Sequence, residues 1–308
     1  MSIRIFKSDE HQATFDQQGF IVLPFLSSDD IAYLNQLFDE LHPNIQQGGF
    51  FSGSYSNDID YKKKASSKIL EVFEKAYQKY FTHYTPFGAA FLFKVPSADS
   101  ALPLHQDWTI VNEEEAVALN CWVPLVDIND KNGALHIIPG THYDKIKTLR
   151  SPTIPFFFSG NDQLVESAAI PMYVKAGEAV VLNQSVVHGS VPNTSDSIRK
   201  AITAGVKSKG AQMYFHYKVP EDDQLEIFAM DDDFLISFEN FAEDIHRRPY
   251  LGKSIGFKPY ESPMLERQDL IQTIEKVTKN AGHPYSFSKE KQSLISKLLS
   301  KIGFNSTL

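Results

Sequence analysis

The sequence predicts a mainly β protein with flanking helices, in which a β-sandwich or barrel occupies the middle of the chain. Three observations indicate this class. Short apolar runs separated by turn residues fill the region from about 89 to 219. Patterns with helical spacing precede and follow that region. The composition, 42% hydrophobic and 22% charged over 308 residues, is that of a globular protein.

The order of these patterns favours one domain over residues 1–308. We expect N-terminal helices and a strand over about 8–88, a β core over about 89–219, and a C-terminal helical extension over about 220–308. The chain contains neither an internal repeat nor a low-complexity linker that would divide it into separate units.

The first forty residues predict a helix, a strand and a second helix. Ser8 is a suitable N-cap for a short helix that ends near Gly19, and residues 20–25 form a compact apolar strand. Ser27 is a suitable N-cap for the second helix, whose first turn is acidic, as the helix dipole favours.

The remaining segments outside the core are a loop and three helices. Residues 44–60 are rich in Gly, Ser and Asn and predict a long loop, and 66–81 predict an amphipathic helix. In the C-terminal part, we expect helices over about 264–278 and 289–302, the latter capped by Ser288. The apolar runs of the core lie at 89–95, 116–125, 134–138, 172–174, 179–182, 200–206 and 211–219.

Charge and cysteine content narrow the function classes. The formal net charge is −8, with 30 Lys and Arg against 38 Asp and Glu, which argues against a nucleic-acid partner. The single cysteine, Cys121, cannot form an intramolecular disulfide or a cysteine-rich zinc site. No signal-peptide pattern or apolar stretch of membrane-spanning length occurs in the sequence. We therefore expect a cytoplasmic protein with no membrane partner.

Two short motifs contain candidate metal ligands. His105 and Asp107 are two residues apart next to a β-rich segment, and in an extended backbone such residues project to one face. His188 follows the apolar strand at 179–182, where its imidazole would lie at the mouth of a barrel. Two histidines and a carboxylate on one face of a metal form the facial triad of non-haem ferrous oxygenases.

Arg199 strengthens this interpretation. It lies eleven residues after His188, at the start of the next predicted strand, and a hairpin of that length returns the chain beside the histidine. A guanidinium there would point into the cavity behind the metal, and arginine is suited to bidentate capture of a carboxylate.

These motifs together resemble the phytanoyl-CoA dioxygenase family of Fe(II)/2-oxoglutarate oxygenases. The resemblance extends over about residues 12–207. It depends, in order and spacing, on the segments 15–24, 103–107, 120–127, 132–142 and 188–190, and on Arg199.

The resemblance implies a double-stranded β-helix core (a jelly-roll, cupin-like fold), with Fe(II) as the metal and 2-oxoglutarate and O2 as cosubstrates. His105, Asp107 and His188 would be the catalytic iron ligands. The residues implied to bind or adjoin 2-oxoglutarate are Arg199, Ser190, Lys94 and Trp122. Halogenating relatives lack the carboxylate ligand, so its presence here favours hydroxylation, with succinate and CO2 as products.

Two other function classes stay open on the sequence. A zinc or manganese cupin-like hydrolase or isomerase also uses two histidines and a carboxylate, although its chemistry does not need Arg199. A non-catalytic jelly-roll binding module is the second. For an oxygenase, the substrate is a small molecule: an amino-acid-like compound, a natural-product intermediate or an acyl thioester. Desaturation or cyclisation would be an alternative outcome to hydroxylation.

Overall fold

The computed structural model describes residues 3–45, 48–143 and 148–287, and its core is a jelly roll of antiparallel sheets. In the described residues the helices are α1 Asp9–Gln18, α2 Ser28–Leu41, α3 Ile59–Tyr80, α4 Asp162–Glu166, α5 Phe234–Ser237, α6 Phe241–Asp244 and α7 Arg267–Asn280. The strands are β1 Phe20–Pro24, β2 Gly49–Ser52, β3 Tyr84–Val95, β4 Leu102–His105, β5 Ala118–Pro124, β6 Leu135–Ile138, β7 Ile170–Met172, β8 Glu178–Asn183, β9 Val187–Ser190, β10 Arg199–Ser208, β11 Met213–Lys218, β12 Gln224–Met230 and β13 Lys253–Pro259.

Two sheets form the jelly roll. The larger has six strands in the order β1-β8-β5-β10-β3-β2, and the smaller has four in the order β4-β9-β6-β7. Their facing sides share one buried cluster, in which Trp122 and Val180 of the large sheet pack with Leu135 and Ile137 of the small sheet. This architecture confirms the predicted fold class, mainly β with flanking helices and a double-stranded β-helix core.

The N-terminal elements form as the sequence predicts. The Ser8 side chain accepts a hydrogen bond from the backbone N–H of His11, and Gly19 ends α1 with a φ of 82°, a value that favours glycine. Ser27 and Asp30 form a reciprocal capping box at the start of α2. Helices α2 and α3 bury their apolar faces in one core cluster with the large sheet.

Two predicted segments differ from the structure. The long loop expected at 44–60 contains β2, a 3-10 turn at Gly53–Tyr55 and the start of α3 at Ile59. A strand rich in Gly and Ser has no clear period, and β2 is recognisable only by its pairing with β3.

The extension expected to be helical from about 220 contains β12 and β13 as well as α5, α6 and α7. These two strands pair with β11 in a separate three-stranded sheet. The pattern of β13 is mainly polar, so it has no apolar run for the sequence to reveal. The helix expected at 289–302 lies outside the described residues. No helix in the described part of the chain is long and apolar enough to cross a membrane.

Candidate functional site

The structure brings His105, Asp107 and His188 together between two neighbouring strands. His105 ends β4, His188 lies on β9, and the two residues are partners in the antiparallel register. Asp107 Oδ1 is 3.9 Å from His105 Nε2 and 4.0 Å from His188 Nε2. The three potential ligand atoms lie within 4.8 Å of one another, and this is the only such cluster among the residues that the structure describes.

Hydrogen bonds at the far side of each imidazole leave the ligand nitrogens free. His105 Nδ1 lies 2.9 Å from the carbonyl oxygen of Pro103, and His188 Nδ1 lies 2.9 Å from that of Val186. A carbonyl oxygen only accepts, so each Nδ1 must donate, and each Nε2 of the neutral ring then carries a lone pair. A hydrogen bond from the other ring nitrogen to a carbonyl fixes the orientation of a histidine that binds a metal. The donor set therefore fits a divalent cation.

The surroundings of His105 favour its neutral form. Desolvation in the cavity and the neighbouring His188 ring lower the pKa of His105 to about 4. Its side chain still keeps 24% of its surface accessible, so the imidazole can be reached from the cavity. A ring that is neutral at physiological pH binds a metal without first losing a proton.

A relay of two hydrogen bonds holds the Asp107 carboxylate. Asn120 on β5 donates a hydrogen bond of 3.1 Å from Nδ2 to Asp107 Oδ2, and Thr203 on β10 donates to Oδ1 of Asn120. This chain leaves Oδ1 of Asp107 directed toward the two histidines. Asn120 lies in one of the segments that carried the family resemblance, but the sequence analysis assigned it no role.

The main chain of Asp107 is held by a buried arginine. Arg150 donates a hydrogen bond of 2.8 Å from Nε to the Asp107 carbonyl, and its two Nη atoms bond both carboxylate oxygens of Glu113. Arg150 is 2% exposed. The sequence analysis missed this residue because it lies 43 positions from Asp107, in an insert without a recognisable pattern.

Arg199 lies at the start of β10 as a buried cation, 2% exposed. Within the described residues no carboxylate forms an ion pair with it, and its Nε and Nη1 atoms have no hydrogen-bond partner there. The guanidinium carbon is 5.5 Å from the centroid of the Trp122 ring. Burial lowers the pKa of Arg199 to about 9. An unpartnered buried cation is costly, and a carboxylate ligand would satisfy it.

Lys94 lies beside Arg199, because β3 and β10 pair these two residues in register. Its ammonium group donates to the carbonyl oxygens of Ser190 and Val191, at 3.1 Å and 2.7 Å. Burial and the positive charge of Arg199 lower the pKa of Lys94 to about 7. Two neighbouring cations in an apolar wall increase the attraction for an anion at this position.

The triad and Arg199 open into one cavity of about 350 Å³, which we call the arginine cavity. Trp122 and Ser190 line it together with His105, His188 and Arg199, whereas Lys94 lies behind its wall. Six of the seven site residues expected from the sequence thus line one space, and the seventh contacts the carbonyl of Ser190. No contact in the structure assigns them a chemical role.

A second cavity of about 240 Å³, which we call the aromatic cavity, meets the first at His105 and Asp107. Tyr55, His105, Asp107, Asn120 and Thr203 line both cavities. The residues that line only the aromatic cavity include Gly88, Trp108, Gln184, Gly205, Leu235, Ile236 and Phe241. The sequence analysis missed these residues, because they come from distant segments without a common motif.

Comparison with known proteins agrees with this geometry. A family model described as phytanoyl-CoA dioxygenase (PhyH) matches residues 15–201, more than half of the chain. The chain is 34% identical over 120 residues to phytanoyl-CoA dioxygenase domain-containing protein 1 of Danio rerio, covering 37% of this chain and 41% of that protein. It is 29% identical over 107 residues to the peroxisomal phytanoyl-CoA dioxygenase of Homo sapiens, covering 33% of this chain and 32% of that one.

The matches to these curated relatives span only about two fifths of their length or less. Among solved structures, the chain is similar to the non-heme α-ketoglutarate-dependent carbocyclase SnoK from nogalamycin biosynthesis. That match has a TM-score of 0.50 and 18% identity, and it covers 67% of this chain and 86% of that one. At this identity the likeness establishes the fold.

Proposed function

The chain belongs to the phytanoyl-CoA dioxygenase (PhyH) family, and from this membership we propose that it is an Fe(II)- and 2-oxoglutarate-dependent dioxygenase. Its reaction would hydroxylate an aliphatic C–H bond of a small-molecule metabolite and release succinate and CO2. The observation that carries the proposal is Arg199, a buried guanidinium with two unpartnered nitrogens in the same cavity as the triad.

In this proposal His105, Asp107 and His188 hold ferrous iron. Their two Nε2 atoms and one carboxylate oxygen would be the protein ligands, a donor set that suits Fe(II) in non-haem oxygenases. Iron bound together with 2-oxoglutarate supplies the activation of O2, coupled to oxidative decarboxylation of the cosubstrate. Positioning and the exclusion of water are the tasks of the protein.

Arg199 binds the distal carboxylate of 2-oxoglutarate. Its free Nε and Nη1 atoms can donate two hydrogen bonds to that group, and the buried setting strengthens them. Lys94 adds positive charge behind this position, and the hydroxyl of Ser190 lies in the wall of the same cavity. Trp122 covers the guanidinium and excludes water from it.

The alternative functions explain fewer of these features. A zinc or manganese hydrolase or isomerase uses the triad but has no need for a buried, unpartnered arginine near it. A non-catalytic binding module needs neither the triad nor the buried arginine. The Asp107 carboxylate also favours hydroxylation over halogenation, because it occupies the ligand position that a halide would require. The proposed partners are a small-molecule substrate and no nucleic acid, and the cytoplasmic location stays an expectation.

Anaerobic titration tests the proposal. We expect the protein with Fe(II) to develop a metal-to-cosubstrate absorption band when 2-oxoglutarate is added, and to release succinate when O2 is admitted. Arg199→Met should weaken the band by raising the Kd for 2-oxoglutarate, whereas Arg248→Met, in the segment between α6 and β13, should not. Selective binding of zinc without any effect of 2-oxoglutarate would overturn the proposal in favour of the hydrolase.

A further inference from the structure

We propose that the aromatic cavity binds the substrate, and that it takes an uncharged, largely apolar small molecule with one hydrogen-bond donor near Gln184. This inference rests on the proposed function, because it assigns the substrate class of the same site. It removes free amino acids from the candidate substrates.

The position of the aromatic cavity is the first argument. It meets the arginine cavity at His105 and Asp107, and Tyr55 and Thr203 line both spaces. Arg199 and Trp122 line only the arginine cavity. A molecule in the aromatic cavity therefore reaches the metal position from another side than a carboxylate held by Arg199.

The charge of the lining is the second argument. Among the described residues that line the aromatic cavity, Asp107 and His105 are the only ones with acidic or basic side chains, and both are proposed metal ligands. The other lining side chains are aromatic, aliphatic, hydroxyl or amide groups. A substrate carboxylate or ammonium would lose its hydration here without gaining a counter-ion, which is strongly unfavourable.

The size of the cavity sets the third limit. Its volume of about 240 Å³ lies just below the range of about 300–1,000 Å³ that is typical of small-molecule sites. Small residues create this space: Gly88, Ala89 and Ala90 on β3 and Gly205 on β10. A Cβ at Gly205 would lie 2.2 Å from the Phe87 ring, so only glycine lets that ring lie flat against the strand. A compact ring or short chain fits the space.

Gln184 provides the polar group. It follows β8 and is 6% exposed, and its Oε1 atom is buried without a hydrogen-bond partner. A buried carbonyl oxygen that lacks a donor costs free energy, which a hydroxyl or amide N–H of the substrate would recover. One such group would also fix the orientation of an otherwise apolar molecule.

An aromatic wall on one side of the cavity completes it. Phe241 of α6 stacks on Trp108 at an interplanar angle of 9°, and its centroid is 5.4 Å from that of Tyr55. The Lys62 ammonium is buried and donates to the carbonyl of Phe238, which ties the segment before α6 to α3. The wall is thus a packed part of the fold, assembled from three separate segments.

The two tryptophans of the chain allow each cavity to be observed separately. Trp108 lines the aromatic cavity and Trp122 lines the arginine cavity. Trp122→Phe leaves Trp108 as the only fluorescent indole, and Trp108→Phe leaves Trp122. The probes are three molecules of similar size and shape: cyclohexylmethanol, cyclohexanecarboxylate and cyclohexylmethylammonium. Each is titrated into the full chain, with and without Fe(II) and 2-oxoglutarate under anaerobic conditions.

We expect cyclohexylmethanol to change the Trp108 fluorescence with saturation, and to bind at least about tenfold more tightly than either charged probe. Equal or tighter binding of the carboxylate or the ammonium compound at Trp108 would overturn the inference. So would the absence of a saturable response to the alcohol up to its solubility limit. A missing response of Trp122 to 2-oxoglutarate would instead contradict the proposed function, so the two failures are distinguishable.

Gln184→Leu tests the polar contact. The substitution keeps the approximate shape of the side chain and removes only its amide group. We expect it to weaken the binding of cyclohexylmethanol by about fivefold and to leave the binding of methylcyclohexane, which has no donor, unchanged. An equal effect on both probes, or none on the alcohol, would show that Gln184 does not bind the substrate.

Discussion

The arginine cavity and the aromatic cavity share His105 and Asp107 but differ in charge. The arginine cavity contains a buried guanidinium without a hydrogen-bond acceptor for two of its nitrogens, with a second buried cation behind it. Among the described residues, the aromatic cavity is lined by no basic or acidic side chain other than His105 and Asp107. One space is therefore suited to a dianionic cosubstrate and the other to a neutral molecule.

The two cavities also differ in the segments that build them. All the residues proposed to bind iron and 2-oxoglutarate lie within 15–201, the range matched by the family model. The aromatic cavity additionally uses Gly205, Leu235, Ile236 and Phe241, which come after that range. The chain thus separates the chemistry common to a family from the part of the site that would select a substrate. Four predictions test this division.

The largest effect is expected at the triad, on which both cavities depend. His188→Ala should lower the affinity for Fe(II) by more than about 100-fold. Loss of a residue that only hydrogen-bonds a metal ligand already lowers metal affinity by up to about 100-fold. His136→Ala is the matched control: it lies on the neighbouring strand β6 but outside the cluster. Competition with a chelator under anaerobic conditions measures the affinity for Fe(II) in both variants. An unchanged affinity for Fe(II) in the His188 variant would contradict the proposed metal site.

Arg199→Met should affect the arginine cavity only. We expect the Kd for 2-oxoglutarate to rise by about 100-fold, since two charge-assisted hydrogen bonds are lost. Without 2-oxoglutarate, the free energy of unfolding should rise by about 1 kcal/mol or more, because an unpartnered buried cation is replaced by an apolar group.

Arg248→Met provides the contrast for that measurement. Arg248 bonds both carboxylate oxygens of Glu226, which is buried, so the loss of Arg248 should lower the free energy of unfolding. The Kd for 2-oxoglutarate should not change in the Arg248 variant. Urea denaturation and calorimetric titration measure the two quantities. Destabilisation by Arg199→Met would mean that Arg199 already has a partner.

A smaller effect is expected from Arg150, which holds the main chain of Asp107. Arg150→Lys keeps a positive charge for Glu113 but loses the Nε donor to the Asp107 carbonyl. The affinity for Fe(II) should fall by about tenfold, whereas Arg247→Lys, at an exposed pair, should not change it. Equal affinities in the two variants would contradict a positioning role for Arg150.

The last prediction is a pH dependence of stability that arises from Lys94 and leaves both cavities intact. Its pKa is about 7 in the folded protein, against 10.5 as its ordinary value, so the unfolded chain binds more protons between these limits. The free energy of unfolding should therefore rise with pH across that window, by at most about 1.4 kcal/mol per pH unit. Lys94→Met should flatten this slope. If the substitution leaves the slope unchanged, the pH dependence arises from other titratable groups.

Much of the site could be predicted from the sequence because its elements are local. His105 and Asp107, two positions apart, do reach one point, with Asp107 just beyond the end of β4. The hairpin predicted between His188 and Arg199 is wrong, because β9 and β10 lie in different sheets; the crossing from one sheet to the other brings Arg199 to the same cavity as His188. The helix caps at Ser8 and Ser27 are likewise readable within four residues. Residue roles at these positions are still predictions, which the variants above test.

Other features could not be predicted because each depends on a contact between distant segments. The bonds of Asn120 and Arg150 to Asp107 span 13 and 43 positions. Strand β2 is defined by its partner β3, and the polar strand β13 by its partner β12. No local pattern predicts such pairs, since the same residue types also occur on exposed surfaces.

The sequence by itself thus determined the fold class, the family, and the residues that could hold a metal and a carboxylate, because periodicity and spacing act over short stretches of chain. Only the tertiary structure decided that Arg199 and Gln184 have buried side-chain atoms without hydrogen-bond partners among the described residues, and that Phe241 lines a largely apolar cavity beside His105 and Asp107. These properties depend on which groups pack around a side chain, and the chemistry of this site depends on them.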